Sequence, residues 1–163
     1  MGVDPGLVAT GFAVLEAAPG AVTVLDVGVI STGATQSLEA RLNAIHRAVL
    51  QIIEARTPTF LVVEDLYTEY KFPRTAILMG HARGVIYLAA RQLGVAVTAL
   101  APSEVKRAVT GSGAAGKAQV QRSVQTLLGL RDLPRPSHVA DALGLAVTGL
   151  ARLTGITPTR AAR

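Results

Sequence analysis

Phe60-Leu61-Val62-Val63-Glu64 is the stretch on which the fold turns. Phe60 to Val63 is an unbroken apolar run of aromatic and β-branched types, with no polar face, as in a strand covered on both sides. Such a strand lies inside a sheet that carries helices on each face. The pattern upstream is different. Met1 to Asp4, Thr10 to Leu15 and Val22 to Ile30 read as three strands, the last setting Thr23 and Asp26 among valines as half-buried antiparallel strands do. Turns at Pro5-Gly6 and at Ala17-Ala18-Pro19-Gly20 join them into a meander.

Helices fill the remainder. Leu38, Leu42, Ile45, Val49 and Ile52 mark an amphipathic helix with Ser37 as its N-cap and Pro58 beyond its end. After Glu64 come a loop from Asp65 to Pro73, a helix from Arg74 to Leu93 and a strand from Val95 to Leu100. Ser103 is expected to cap a short helix, Gly111 to Gly116 forms a loop, and Lys117 to Leu128 is helical. Pro134 and Pro136 precede a final helix from His138 to Leu153. The reading is α/β: a mixed five-stranded sheet flanked by helices, in a single domain over residues 1–153. Residues 154–163 form a basic, flexible tail.

Composition narrows the function. With 163 residues there is room for one core, and 50% apolar against 17% charged residues excludes disorder. The absence of cysteine removes disulfide frameworks, thiol catalysis, cysteine zinc sites and iron–sulfur clusters, and favours the cytoplasm. No leader pattern is expected at the start, and the longest apolar run, Val139 to Ala151, is interrupted by Asp141 and too short to span a bilayer. Sixteen basic against 11 acidic residues give a formal charge of +5, which favours a polyanionic partner.

Three of those acids stand where a carboxylate is expensive. Asp4 ends the first strand, Glu64 ends the buried strand, and Asp141 lies in the apolar final helix. A buried carboxylate without a partner costs several kcal/mol or takes up a proton. Strand ends and a helix start can meet at the carboxyl edge of an α/β sheet. At about 4 Å each pair of such acids repels by roughly 4 kcal/mol in an effective dielectric of about 20. Oxygen ligands of this kind suit Mg²⁺ or Mn²⁺, and two ions together support phosphodiester hydrolysis. His138, three residues before Asp141, shares its helix face and completes the set as ligand or proton carrier. Each residue alone has a structural alternative. Asp4 can serve an Asp-Pro-Gly turn, Glu64 can pair with an arginine, and Ser137, His138 and Asp141 can form a polar first helical turn.

The segment after Glu64 adds a second signal. Tyr67, Tyr70 and Phe72, half of the six aromatic residues, crowd a loop with Lys71 and Arg74 interleaved. Rings among cations suit unpaired bases and phosphates, and Tyr67 is the stacking candidate; anchoring of the loop by a ring is the alternative. Gly111-Ser112-Gly113-Ala114-Ala115-Gly116-Lys117 has P-loop spacing, yet Ala118 follows where a hydroxyl should, and a helix precedes it. Its glycines and Lys117, with Lys106 and Arg107 nearby, are better suited to a DNA phosphate.

Together these motifs resemble the RuvC family of Holliday-junction resolvases. Gly2-Val3-Asp4-Pro5-Gly6 is similar to the family's first motif, and Val62-Val63-Glu64-Asp65-Leu66-Tyr67 to its second. Val105-Lys106 and Gly113 to Val120 resemble its two lysine segments, and Pro136 to Leu143 its last motif. The resemblance runs in order through residues 2–150. It implies an RNase H-like fold, metal ligation by Asp4, Glu64 and Asp141, and His138 as a further ligand or proton carrier. It also implies DNA contacts from Tyr67, Lys106 and Lys117, and a homodimer that nicks two opposed strands to leave 5′-phosphate and 3′-hydroxyl ends. RuvA and RuvB are the implied partners. Only three residues precede Asp4, where the family has more, so the first strand is expected to be short or to begin upstream.

Ala76, Gly80 and Gly84 recur every four residues on the helix after the Glu64 loop. Such a stripe suits either a second helix in a dimer or the chain's own sheet. Three rival functions remain: an actin-like or sugar-kinase ATPase, which needs a second lobe; a nuclease acting on RNA–DNA hybrids; and a silent nucleic-acid-binding module.

Overall fold

The computed structural model describes residues 1–18, 21–66 and 73–157. Its elements are β1 (Gly2–Asp4), β2 (Ala9–Ala18), β3 (Ala21–Ser31), α1 (Leu38–Arg56), β4 (Phe60–Glu64), α2 (Pro73–Gln92), β5 (Ala96–Leu100), α3 (Pro102–Thr110), α4 (Lys117–Leu127) and α5 (Ser137–Thr154). They form one five-stranded sheet in the order β3-β2-β1-β4-β5. The meander pairs antiparallel, whereas β4 joins β1 and β5 in parallel. This is the mixed five-stranded sheet the sequence predicts.

β4 is the covered strand its composition requires. Leu61, Val62 and Val63 are all fully buried. Leu61 and Val63 enter a core with Val3, Ile45, Val49 and Ile86, under α1 and α2. Val62 points the other way, toward Leu145 and Val105. On that second face α5 packs on β1 and β2, with Val120 and Val124 of α4 closing the layer behind it. Fully burying one such aliphatic side chain is worth about 1.5–3 kcal/mol, so β4 alone anchors both layers.

α5 approaches the sheet very closely because the strands present glycines to it. A Cβ on Gly2 would strike the backbone of Ala142 and Ala146, and one on Gly11 would strike the carbonyl of His138. Backbone meets backbone there, so neither side can yield easily. The start of α5 is thereby fixed against the ends of β1 and β2.

Several boundaries differ from the sequence reading. β2 and β3 run on to Ala18 and Ser31 because every residue of β2 has a partner in β3, from Ala9↔Ser31 to Ala18↔Ala21, with a register shift that leaves Leu25 of β3 unpaired. Pairing carries the low-propensity Glu16-Ala17-Ala18 segment into the strand. Ser103 does not cap α3. The cap position is Ala101, Pro102 starts the helix with its fixed φ, and Ser103 lies inside the first turn. Ser37 is at the N-cap of α1 as expected, although its side chain makes no capping bond to the helix backbone. Asp26 is structural, paired with Arg56 at 3.0 Å. Among the described residues no helix is long and apolar enough to cross a membrane. Of the expected tail, Thr154 closes α5, and residues 158–163 lie outside the described residues.

The contact at Gly11 makes a prediction. Gly11→Ala should destabilise the fold by about 1–3 kcal/mol through overpacking, read from urea denaturation. An unchanged midpoint would mean that α5 does not lie this close to β2.

Candidate active site

β1 and β4 are parallel neighbours with Val3 opposite Val63, so Asp4 and Glu64 leave the sheet at the same carboxyl edge. α5, pressed onto Gly2 and Gly11, brings His138 and Asp141 to that edge. Asp4 is buried, and its Oδ2 lies 2.7 Å from Nδ1 of His138. The opening turn is closed by Thr10, whose hydroxyl donates to the Gly6 carbonyl at 2.7 Å. Asp4 takes no part in that bond. Its place is in the strand, opposite Gly11.

The ionisation of the three acids reports their proximity. Burial, then the charges of Asp4 and Asp141, push Glu64 up to about 7. Asp141 is raised to about 6 by burial and by Asp4, against the opposing pull of Lys117, His138 and Lys106. Asp4 is also raised, its burial outweighing the hydrogen bond and charge of His138 and the charge of Lys117. Two strands and one helix thus bring together Asp4, Glu64, His138 and Asp141. Lys106 of α3 and Lys117 at the start of α4 stand within electrostatic reach. The acids are neighbours, but among the described residues no group of three His, Asp or Glu side chains is placed, as it stands, to hold a metal ion.

The structural alternatives fare differently. Asp141 falls in the second turn of α5, and no acid occupies the first, so the helix pole does not account for it. An arginine does reach Glu64. It is Arg83 of α2, but its guanidinium donates to the backbone carbonyl of Glu64 and pairs instead with the carboxylate of Asp65 at 3.1 Å. Among the described residues, neither Glu64 nor Asp141 has an ion-pair partner within 4.0 Å. Carboxylates that are crowded, desolvated and unpaired fit a hard divalent cation, which oxygen donors bind best.

Of the expected DNA contacts, Arg74 stands exposed in the first turn of α2. Tyr67 and Lys71, with Tyr70 and Phe72, lie outside the described residues. The loop with P-loop spacing joins helices α3 and α4, not a strand and a helix, as the missing hydroxyl requires. Sequence reasoning missed Arg83. The one signal was a cation inside a helix with Tyr87 four residues on, a common surface pair.

A family model described as crossover junction endodeoxyribonuclease RuvC matches residues 1–149, a span that holds all four clustered groups. The chain belongs to the RuvC family. RuvC of Rhodopirellula baltica is 40% identical over 149 residues, covering 91% of this chain and 84% of that one. RuvC of Moorella thermoacetica is 44% identical over 147 residues, covering 90% and 87% respectively. The structure of T. thermophilus RuvC in complex with a Holliday junction substrate superposes with a TM-score of 0.86 at 34% identity, covering 97% of each chain. This RuvC-family chain is therefore an endodeoxyribonuclease with an RNase H-like fold.

The crowded carboxylates set a pH dependence. Folded, Glu64 titrates near 7 against an ordinary 4.5, so the folded state binds more protons between those values. Stability of the metal-free RuvC-family chain must then fall as pH rises through that window. In EDTA, Glu64→Gln should melt several degrees above the parent at pH 8, with the gap closing toward pH 5, by scanning calorimetry. Equal or lower melting of the variant at pH 8 would show that neither burial nor the neighbouring acids disfavour the Glu64 charge in the folded chain.

Proposed function

We propose that this chain resolves four-way DNA junctions by divalent-metal-dependent hydrolysis, with Asp4, Glu64, Asp141 and His138 as the catalytic set. The observation that carries the reading is the meeting of three carboxylates from β1, β4 and α5, Asp4 bonded to His138, Glu64 and Asp141 without an ion-pair partner among the described residues, and each raised by its neighbours or by burial. When bound, Mg²⁺ or Mn²⁺, as two ions per site, supplies Lewis acidity toward water and phosphodiester and neutralises the acids. Asp4, Glu64 and Asp141 would hold the ions. Asp4 also fixes the imidazole through Nδ1, which leaves Nε2 of the 40%-exposed His138 side chain free to carry a proton or to bind metal. Lys106 and Lys117 orient phosphates beside the acids. Tyr67 stacks on an unpaired base, while Lys71 and Arg74 track the backbone.

Substrate and assembly follow from the same reading. The T. thermophilus relative bound to a Holliday junction supports the four-way substrate. A homodimer suits its near two-fold symmetry, two sites nicking opposed strands to leave 5′-phosphate and 3′-hydroxyl ends. The outer face of α2 supports such a dimer. Ile77 and Leu88 are exposed at 60% and 51%, and a side chain added at Gly84 would meet nothing within 4 Å. Of the Ala76-Gly80-Gly84 stripe, Gly84 is open to a second helix, whereas Ala76 and Gly80 are half-buried and Gly80 faces Leu66 of the same chain. The nuclease works as a single domain over residues 1–153, in the cytoplasm, with RuvA and RuvB as branch-migration partners.

The test is incubation with a four-way junction, a plain duplex and an RNA–DNA hybrid, each with Mg²⁺ or EDTA. Metal-dependent paired nicks should arise in the junction alone; cutting of the hybrid instead would favour the rival nuclease. Asp4→Asn, Glu64→Gln and Asp141→Asn should each abolish cutting while junction binding persists. Retained cutting in one of them removes that residue from the site. Lys117→Ala should weaken binding and reduce its salt slope by about one.

A further inference from the structure

Arg83 lies on the inner side of α2 with its side chain only 13% exposed. A guanidinium offers five donors in a planar fork, and here the fork is spent almost entirely on one place. Nη1 donates to the carbonyl of Glu64 and meets Oδ1 of Asp65 at 3.1 Å. Nη2 donates to the Tyr87 hydroxyl at 3.1 Å, and Cζ sits 5.4 Å from the centre of that ring. Asp65 is held in turn. Its Oδ1 accepts from the Leu66 amide at 2.9 Å, and its own amide donates to the Leu100 carbonyl of β5 at 2.8 Å.

Glu64 is the last residue of β4, and the bond from the Asp65 amide to Leu100 is the last that β5 gives the chain before the loop, holding the N–H side of the Glu64–Asp65 peptide. A strand end is the least constrained part of a strand. Arg83 grips the peptide plane between Glu64 and Asp65, which sets the direction from which the Glu64 side chain leaves the backbone. The cation reaches that peptide through the carbonyl and the neighbouring carboxylate, so the Glu64 carboxylate itself is not consumed. We propose that Arg83 is a positioning residue, with Asp65 as its anchor and Tyr87 as its backing, that aims Glu64 at Asp4 and Asp141. The proposal rests on the reading of Glu64 as a metal ligand, and it has its own consequences. Support behind a ligand typically governs 10–100-fold in metal affinity or activity.

The experiment measures, on the full chain, the Mn²⁺ concentration for half-maximal thermal stabilisation, junction binding in EDTA, and the rate of junction cutting. Arg83→Ala and Asp65→Ala should raise the Mn²⁺ half-point and slow cutting by about 10–100-fold, while binding in EDTA stays at the parent level. Arg83→Lys should recover only part of the loss, because an ammonium cannot hold carbonyl, carboxylate and hydroxyl in one plane. A merely structural arginine would lower the melting temperature and leave the Mn²⁺ half-point where it was. An unchanged half-point in Arg83→Lys and Asp65→Ala overturns the proposal, even if Arg83→Ala fails to fold. A parent protein that Mn²⁺ does not stabilise overturns the metal-site reading itself.

Discussion

Three carboxylates repelling one another at the end of a sheet are the constraint on which this structure depends. Nothing local favours the arrangement. Burial raises every one of the acids, and Asp4 further raises both Glu64 and Asp141. The acids stay together because the elements that bear them are packed too tightly to separate. β1 and β4 are adjacent rungs of one ladder, and α5 is pressed onto glycines with backbone against backbone. Hydrophobic burial on both faces of β4 supplies the stability that the repulsion subtracts.

A fold that keeps such charge together is prepared for a cation and, beyond it, for a phosphate. The positive charge near the site is distributed accordingly. Arg83 is turned to the backbone and to Asp65, and Lys106 and Lys117 oppose the acids without pairing with any of them among the described residues. A direct ion pair to Glu64 or Asp141 would have relieved the strain and closed the site. The two sides of α2 differ in this arrangement: its inner side holds the end of β4 through Arg83, and its outer side leaves Ile77, Gly84 and Leu88 exposed.

Much of this was legible in the sequence, for physical reasons. Phe60 to Val63 has no polar face and so announced a strand covered twice, and Asp4, Glu64 and Asp141 stood out because charge is costly in apolar surroundings. What the sequence concealed depends on tertiary contact. The extension of β2 to Ala18 follows from its partner strand, not from Glu16-Ala17-Ala18, and α3 begins at Pro102 with Ala101 rather than Ser103 at the cap. Arg83 was invisible as well, since one cation in a helix does not say whether it faces water or a carbonyl on another element. Its distance from Glu64 along the chain, 19 residues, hid a contact that only the packing of α2 beside β4 creates.

The central claim is that Asp4, Glu64 and Asp141 meet around metal. Anomalous diffraction from crystals of the chain grown with Mn²⁺ and a four-way junction addresses it directly. The account predicts manganese at the carboxyl edge of β1 and β4, at about 2.0–2.2 Å from oxygens of all three residues. Manganese bound elsewhere, or held there by water and DNA alone with the three carboxylates turned away, would contradict it.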